Sequence, residues 1–314
     1  QTHIGYTSWN NPESNILPEV KRIQPPNRAS MGYSIEHGGD FSFSPFDPVN
    51  AQTYFLEIFN RGDQPLDYSL TAKQDWIRLS KTRGSVRYEE KVFVSINWDR
   101  VPEGKALGKI LLKGAGEKYR LEVPLRTDLP EAAGFVENNG VVSMEAVNYT
   151  RKTGSKELDW SMVPNLGRTH SSMVAGPVTA ERQEPGAGAP LLEFTFTVFD
   201  AGEVGVEAFL SPTQDFKKGD GLWYAVAIDD EEPQIVNMNE GEQKPDYEYA
   251  DWWMTSVGDH IKVRTSKHRI SKPGVHTLKV WMLDPGIVFQ KFVIDAGGHR
   301  SSYLGAPESN YLDE

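Results

Sequence analysis

Nearly every hydrophobic period in this sequence is two residues long. From residue 53 the stretches "TYFLEIF", "LDYSLT", "WIRLS", "KVFVSINW", "ALGKILL" and "KYRLEVPL" alternate apolar with polar residues, and each is bounded by Gly, Asp, Asn or Pro. Such alternation puts one face of a strand on a core and the other in water, and the breakers supply turns. Six short stretches between residues 53 and 125 predict a small immunoglobulin-like β-sandwich over 41–127.

After "RTDLPEAAG" a second series begins: "VVSMEA", "LLEFTFTVF", "EVGVEAFL", "LWYAVAI", "HIKVRTS", "VHTLKVWML" and "IVFQKFVI". It predicts a larger antiparallel sandwich, a jelly roll, over 135–308, with 309–314 left as a tail. A helical period is visible only around 247–257. Residues 1–40 hold "NNPESNILPEVKRIQPPNRAS", where Pro, Asn and Ser break every period, so an extended connector is expected there. The fold class is therefore all-β, and 314 residues are enough to bury two cores. No fixed period relates the two series to each other.

The formal net charge of −11 argues against a nucleic-acid partner, which requires clustered Lys and Arg. With no cysteine there is neither a disulfide framework nor a thiolate metal site. No apolar run approaches the roughly 20 residues of a membrane helix, so no membrane partner is expected. "QTHIGYTSWN" lacks the layout of a signal peptide, which makes Gln1 read as a cut inside a longer protein. No serine elbow, zinc-protease helix, Walker loop or EF-hand loop is present, and the seven histidines show no ligand spacing. A carboxylate pair for glycoside hydrolysis needs only spatial closeness, so 44 acidic residues give that test no power. "NYT" at 148–150 fits an N-glycosylation triplet, which matters only on a eukaryotic secretory route.

Glu145, in "VVSMEAVNYT", places a carboxylate in an otherwise apolar strand and reads as a ligand, an acid or a strand-end hydrogen-bond acceptor. The turn "IDDEEPQ" (228–234) reads as a solvated hairpin end, with a calcium cluster as the sharper alternative. "NEGEQKPDYEYADWW" (239–253) sets Trp252 and Trp253 among carboxylates, either as a platform that stacks on sugars or as a plug in the end of a sandwich. In "ELDWSMVPNLGRTH" Trp160 precedes a donor-rich loop with Arg168 and His170, and a bidentate Arg suits a uronate or an internal Asp. Trp160, Arg168, His170, Trp252 and Trp253 form the expected substrate-binding set, provided the two loops meet. Trp76 and Trp98 lie in strand patterns and are expected in a core.

Residues 135–308 resemble the C-terminal domain of family-115 glycoside hydrolases, the xylan α-glucuronidases. The resemblance rests on "VSMEAVNYTRK", "VPNLGRTHSSMVAGPVTA", "AFLSPTQDF", "LWYAVAIDDEEPQIVN", "VRTSKHRISKPGVHTLKVWMLDPGIVFQKFVIDAGG" and "SSYLGAPES". "HIGYTSWNNPESNILPEV" is similar to the segment by which those enzymes leave their catalytic body. "DWIRLSKTRGSV" and "VSINWDRVPEGKALGKILLKG" resemble the BACON-type immunoglobulin-like modules. The resemblance implies a non-catalytic accessory fragment whose catalytic groups lie in an upstream domain. It implies xylan or xylo-oligosaccharides, glucuronic-acid-decorated forms included, as ligand. It also implies the upstream catalytic domain as partner, a homodimer contact through the C-terminal domain, and a secreted or periplasmic bacterial location. The alternatives are purely structural or dimerisation modules, or a part that completes an attached hydrolase. The same region is similar to carbohydrate-binding modules of families 6 and 35, which carry a structural calcium. Glu145 and Asp295 stand where two of its oxygen ligands would be, but Val147 replaces a third, so neither metal nor cofactor is expected.

Overall fold

The computed structural model describes residues 20–102, 106–186, 188–217, 220–242 and 251–313. The chain divides into two compact units. The first takes Gln1–Phe43, Thr53–Val101 and Leu107–Pro124, and the second takes Ser44–Gln52, Pro102–Ala106 and Leu125–Glu314.

The first unit contains β1 (Met31–Ile35), β2 (Tyr54–Asn60), β3 (Leu66–Ala72), β4 (Ile77–Leu79), β5 (Arg83–Val86), β6 (Glu89–Ile96), β7 (Leu107–Gly114) and β8 (Glu117–Pro124). They form two four-stranded sheets, ordered β1-β2-β6-β4 and β5-β3-β7-β8, with antiparallel pairs throughout. The alternation in the sequence is realised directly. Leu66, Tyr68 and Leu70 of β3 and Ile110 and Leu112 of β7 are buried, while Asp67, Ser69, Thr71, Lys109 and Lys113 between them are exposed. Gly108 lets the two sheets approach, because a Cβ there would stand 2.4 Å from the ring of the buried Trp76. Strand β1 lies inside the segment expected to be a connector. Its full register with β2 and the burial of Met31 make it part of this sandwich.

The second unit contains β9 (Gly134–Val136), β10 (Val141–Glu145), β11 (Arg151–Thr153), β12 (Asp159–Val163), β13 (Ser172–Gly176), β14 (Leu191–Val198), β15 (Gly202–Leu210), β16 (Trp223–Ile228) and β17 (Gln234–Asn237). After these come α1 (Asp251–Asp259), β18 (Lys262–Ile270), β19 (Gly274–Met282), β20 (Val288–Asp295) and β21 (Tyr311–Leu312). One sheet runs β12-β13-β20-β15-β18, with β10 also on β20, and the other runs β17-β16-β19-β14-β9-β21, with β11 on β14. Phe194, Phe196, Tyr224, Phe289 and Phe292, all nearly inaccessible to solvent, fill the space between the sheets. A smaller core of Phe209, Ile261 and Val293 packs with Val141 and Ala306.

Residues 309–313, within the stretch expected as a tail, pair with the strands of the fold. The Ser309 N–H donates to the carbonyl of Ser143, and Tyr311 pairs with Phe135. The helix suggested around 247–257 is α1. Its end at Asp259 is set by His260, whose φ of 54° takes the chain into the left-handed region that stops a helix. The first four residues of that expectation, 247–250, lie outside the described residues.

Truncating Phe292 removes a fully buried ring that packs between Phe194 and Phe289, with centroids at 5.3 and 5.6 Å. Phe292→Ala is expected to destabilise the second unit by about 3–5 kcal/mol, read as a shifted urea midpoint.

Candidate functional site

Glu145 ends β10 and is 4% exposed. Its cross-strand partner on β20 is Lys291, whose Nζ stands 3.1 Å from Glu145 Oε1. The same ammonium donates to the carbonyls of Ala306 (2.9 Å) and Leu304 (3.4 Å). The Thr169 hydroxyl donates to Glu145 Oε1 at 2.5 Å, and the Glu145 N–H donates to Glu308 Oε1 at 2.9 Å. A buried carboxylate and two carbonyls therefore surround one cation, and that cation is a lysine. Asp295 takes no part in this. It pairs with Val141, four residues from Glu145 along the strand and so about 13 Å away. Its Oδ1 accepts the N–H groups of Gly297 and His299. The two positions that match calcium ligands in the resembled modules thus lie at opposite ends of the β10–β20 pair. Among the described residues, no three His, Asp or Glu side chains gather as a metal site.

The loop between β12 and β13 is held from within and from without. Asn165, at φ 56°, donates its N–H to Ser171 Oγ, and the Arg168 N–H donates to Gln290 Oε1 on β20. The Arg168 guanidinium donates from Nε to the Asp259 carbonyl at 2.9 Å, and also from Nη2 to that oxygen and from Nη1 to the Tyr303 carbonyl. It lies 4.0 Å from the centre of the Tyr303 ring. Asp259 is the last residue of α1, so a cation meets the negative end of the helix and satisfies one of its free carbonyls. Arg168 thus joins the β12–β13 loop to the C-terminal end of α1, while most of the 239–253 loop, residues 243–250, lies outside the described residues. The partners of the guanidinium are backbone carbonyls, and not the side chain of an internal Asp.

Trp252 and Trp253 stand half-buried in the first turn of α1. Seven residues separate Trp252 from the Arg168 contact at Asp259, about 10 Å along a helix. Lys262 Nζ lies 6.0 Å from the centre of the Trp252 ring and is itself held 2.6 Å from Glu242. Burial draws the Lys262 ammonium below its usual range, against the pull of Glu242. His170 is exposed. Trp160 is a correction. Instead of standing on a loop it faces inward from β12, 3% exposed and edge-on to Phe289 at 5.6 Å, so neither face of its ring can meet a ligand. Sequence reasoning assigned no role to Tyr303 or Lys291, although a lysine in the apolar run "IVFQKFVI" was a visible sign of a buried, paired charge.

The turn "IDDEEPQ" connects β16 to β17, and three of its four carboxylates meet groups on neighbouring strands. Asp229 Oδ2 lies 2.7 Å from His276 Nδ1, and Asp230 pairs with Lys279 at 3.2 Å. Glu231 meets His268 Nδ1, while His268 Nε2 lies 2.7 Å from Ser266 Oγ. That row has the order of an acyl-transfer triad. Ser266 and His268 are both buried, where the edge strands β17 and β18 close the sandwich, out of reach of a polymeric substrate.

Residues 134–308, just over half of the chain, match the family described as Glycosyl hydrolase family 115 C-terminal domain. No curated protein matches. Solved structures similar to the chain include the family GH115 4-O-methyl-α-glucuronidase BtGH115A, described as specific for decorated arabinogalactans. It is 18% identical with a TM-score of 0.38, over 50% of this chain and 18% of that one. A family 35 carbohydrate-binding module from Clostridium thermocellum matches at 7% identity and a TM-score of 0.32, over 49% of this chain and 96% of that one. A module from Cellvibrio mixtus lichenase 5A in complex with cellotriose matches at 6% identity and a TM-score of 0.30, over 49% and 95%.

Removing the Lys291 charge leaves Glu145 buried without a cation. Lys291→Met is expected to cost about 3–5 kcal/mol in urea unfolding, and adding Glu145→Leu is expected to recover a large part of it. A double variant no more stable than the single one contradicts this account of the pair.

Proposed function

The chain belongs to the glycosyl hydrolase family 115 C-terminal domain family, and from that premise we propose that it is a non-catalytic accessory region that binds or positions xylan for a catalytic domain upstream. Glucuronic-acid-decorated xylan is the ligand form this reading favours. The matched region is by its description the C-terminal domain of that family, which supports a non-catalytic role, and polymer-binding regions of this kind act where the polymer is, outside the cytoplasm or in a periplasm. The observation that carries the reading is the short helix α1, which holds Trp252 and Trp253 half-buried in one turn while Arg168 clamps its far end. Two large rings on a fastened helix offer apolar faces to pyranose rings with little entropy left to lose. Exposed His170 adds a polar group on the loop that Arg168 anchors. Arg168 itself is a positioning residue, since its donors are spent on backbone carbonyls.

A second reading, a homodimer contact through this domain, draws on a different observation. Leu166, Met254, Val257, Tyr303 and Leu304 are apolar and between 44% and 56% exposed, on the three segments that meet at Arg168. Such a surface suits a partner protein as well as a glycan.

Titration calorimetry with xylo-oligosaccharides separates the two. Trp253→Ala is expected to weaken binding at least about tenfold, about 1.4 kcal/mol, with an unchanged circular dichroism spectrum. Full-strength binding by that variant and by the double variant with Trp252→Ala overturns the platform. Sedimentation of the unmodified chain as a dimer that Tyr303→Ser dissociates would favour the second reading. The chain alone is expected to release no 4-O-methylglucuronic acid from xylan, and release that survives repurification overturns the non-catalytic assignment.

A further inference from the structure

The sheet β5-β3-β7-β8 of the first unit turns an unusual face to solvent. The paired register places Arg83, Ser69, Lys113 and Lys118 in one row across its four strands. The next row holds Thr71, Leu111 and Arg120. In the last, Lys109 stands opposite Glu122, and the Lys73 N–H donates to the carbonyl of Lys109. Six cations, Lys73, Arg83, Lys109, Lys113, Lys118 and Arg120, thus share this face with two carboxylates, Asp67 and Glu122. This occurs in a chain whose formal net charge is −11. All six are exposed, and none forms an ion pair among the described residues. Lys73, Lys109, Lys118 and Arg120 line a hollow of about 330 Å³, whose floor includes Leu111.

Like charges on neighbouring strands, about 4.8 Å apart, repel, and a sheet that needs only solubility avoids such rows by mixing signs. We propose that this face binds the carboxylates of a uronic-acid-bearing polysaccharide. The proposal rests on the polysaccharide reading above and adds a second contact, on the other unit, that selects acidic chains. Charge spacing favours this ligand over nucleic acid. A duplex carries one phosphate per roughly 1.7 Å, so any duplex longer than the patch presses phosphates onto the acidic remainder of the protein. A polysaccharide with a uronic acid on only some of its sugars sets its few carboxylates on the cations and crosses the remainder uncharged. The hydroxyls of Ser69 and Thr71 and the apolar Leu111 between the cations suit sugar hydroxyls and ring faces better than a bare ion.

The full chain is titrated with glucuronoxylan, with the same polymer after its carboxylates are reduced to alcohols, and with a DNA duplex. The salt is set at about 0.01 M and about 0.15 M, where the screening length is about 30 Å and about 8 Å. Glucuronoxylan is expected to bind at least about tenfold more tightly than the reduced polymer at low salt, with most of the difference lost at the higher salt. The double variant Lys113→Glu with Arg120→Glu, both on exposed side chains, is expected to bind the two polymers alike. Equal binding by the unmodified chain, or a preference that survives the charge reversal, overturns the proposal. Tighter binding of DNA than of glucuronoxylan overturns it in favour of a nucleic-acid surface. The reduced polymer keeps the two readings apart. If it binds and the acidic preference is absent, only the cationic face fails. If glucuronoxylan binds through that face while the reduced polymer does not bind at all, the tryptophan platform fails instead.

Discussion

One buried ammonium organises the second unit. The Lys291 Nζ is reached by Glu145 from the end of β10 and by the carbonyls of Leu304 and Ala306 from the closing segment, and through Glu145 by Thr169 of the β12–β13 loop. Four stretches distant in sequence meet at a charge that is 2% exposed. Burying such a charge costs several kcal/mol unless every neighbour is placed to receive it, so the demand for oxygen around Lys291 limits where these segments can lie. The next residue back along the strand continues the constraint from its own side. The Gln290 side chain takes the Arg168 N–H and donates to Ser211 Oγ, and its carbonyl takes the Ala146 N–H. The loop that carries Arg168 is thus tied at its base before the guanidinium reaches α1.

Much of the architecture was legible because long strands with one wet face write their alternation into the sequence. All thirteen period-two stretches correspond to strands. What escaped is short or one-sided. Strands β9, β11 and β21 are too brief to show a period. Strand β1 follows a Pro- and Asn-rich segment whose composition masks it. In β12 only Trp160 is buried, so a core tryptophan stood among polar neighbours and read as part of a loop. The tie between the β12–β13 loop and the end of α1 could not be read at all. It depends on a side chain reaching a helix carbonyl, and neither spacing nor composition encodes that. The pairing of Glu145 with Lys291 was half visible, as two charges in two apolar strands, but strand register alone makes them partners.

In the proposed reading the two units divide the recognition chemistry. Large aromatic rings on a clamped helix belong to the second, and rows of unpaired cations on a flat sheet belong to the first. Stacking on rings is indifferent to salt and selects for the flat faces of a sugar. Attraction to a cationic sheet is long-ranged, weakens with salt and selects for charge. Neither needs a reacting group.

The segment from Leu304 to Leu312 lies along β10 as its outermost neighbour. Ser309 exchanges hydrogen bonds with Ser143, Glu308 receives the Glu145 N–H, and Tyr311 pairs with β9. Without this cover β10 would be an open edge offering unpaired N–H and C=O groups to any passing strand, the usual route to sheet-by-sheet association between molecules. The same segment that supplies oxygen to a buried lysine therefore keeps the domain from growing into its neighbours. Where such a domain is cut from its parent, the boundary decides whether it stays a separate molecule.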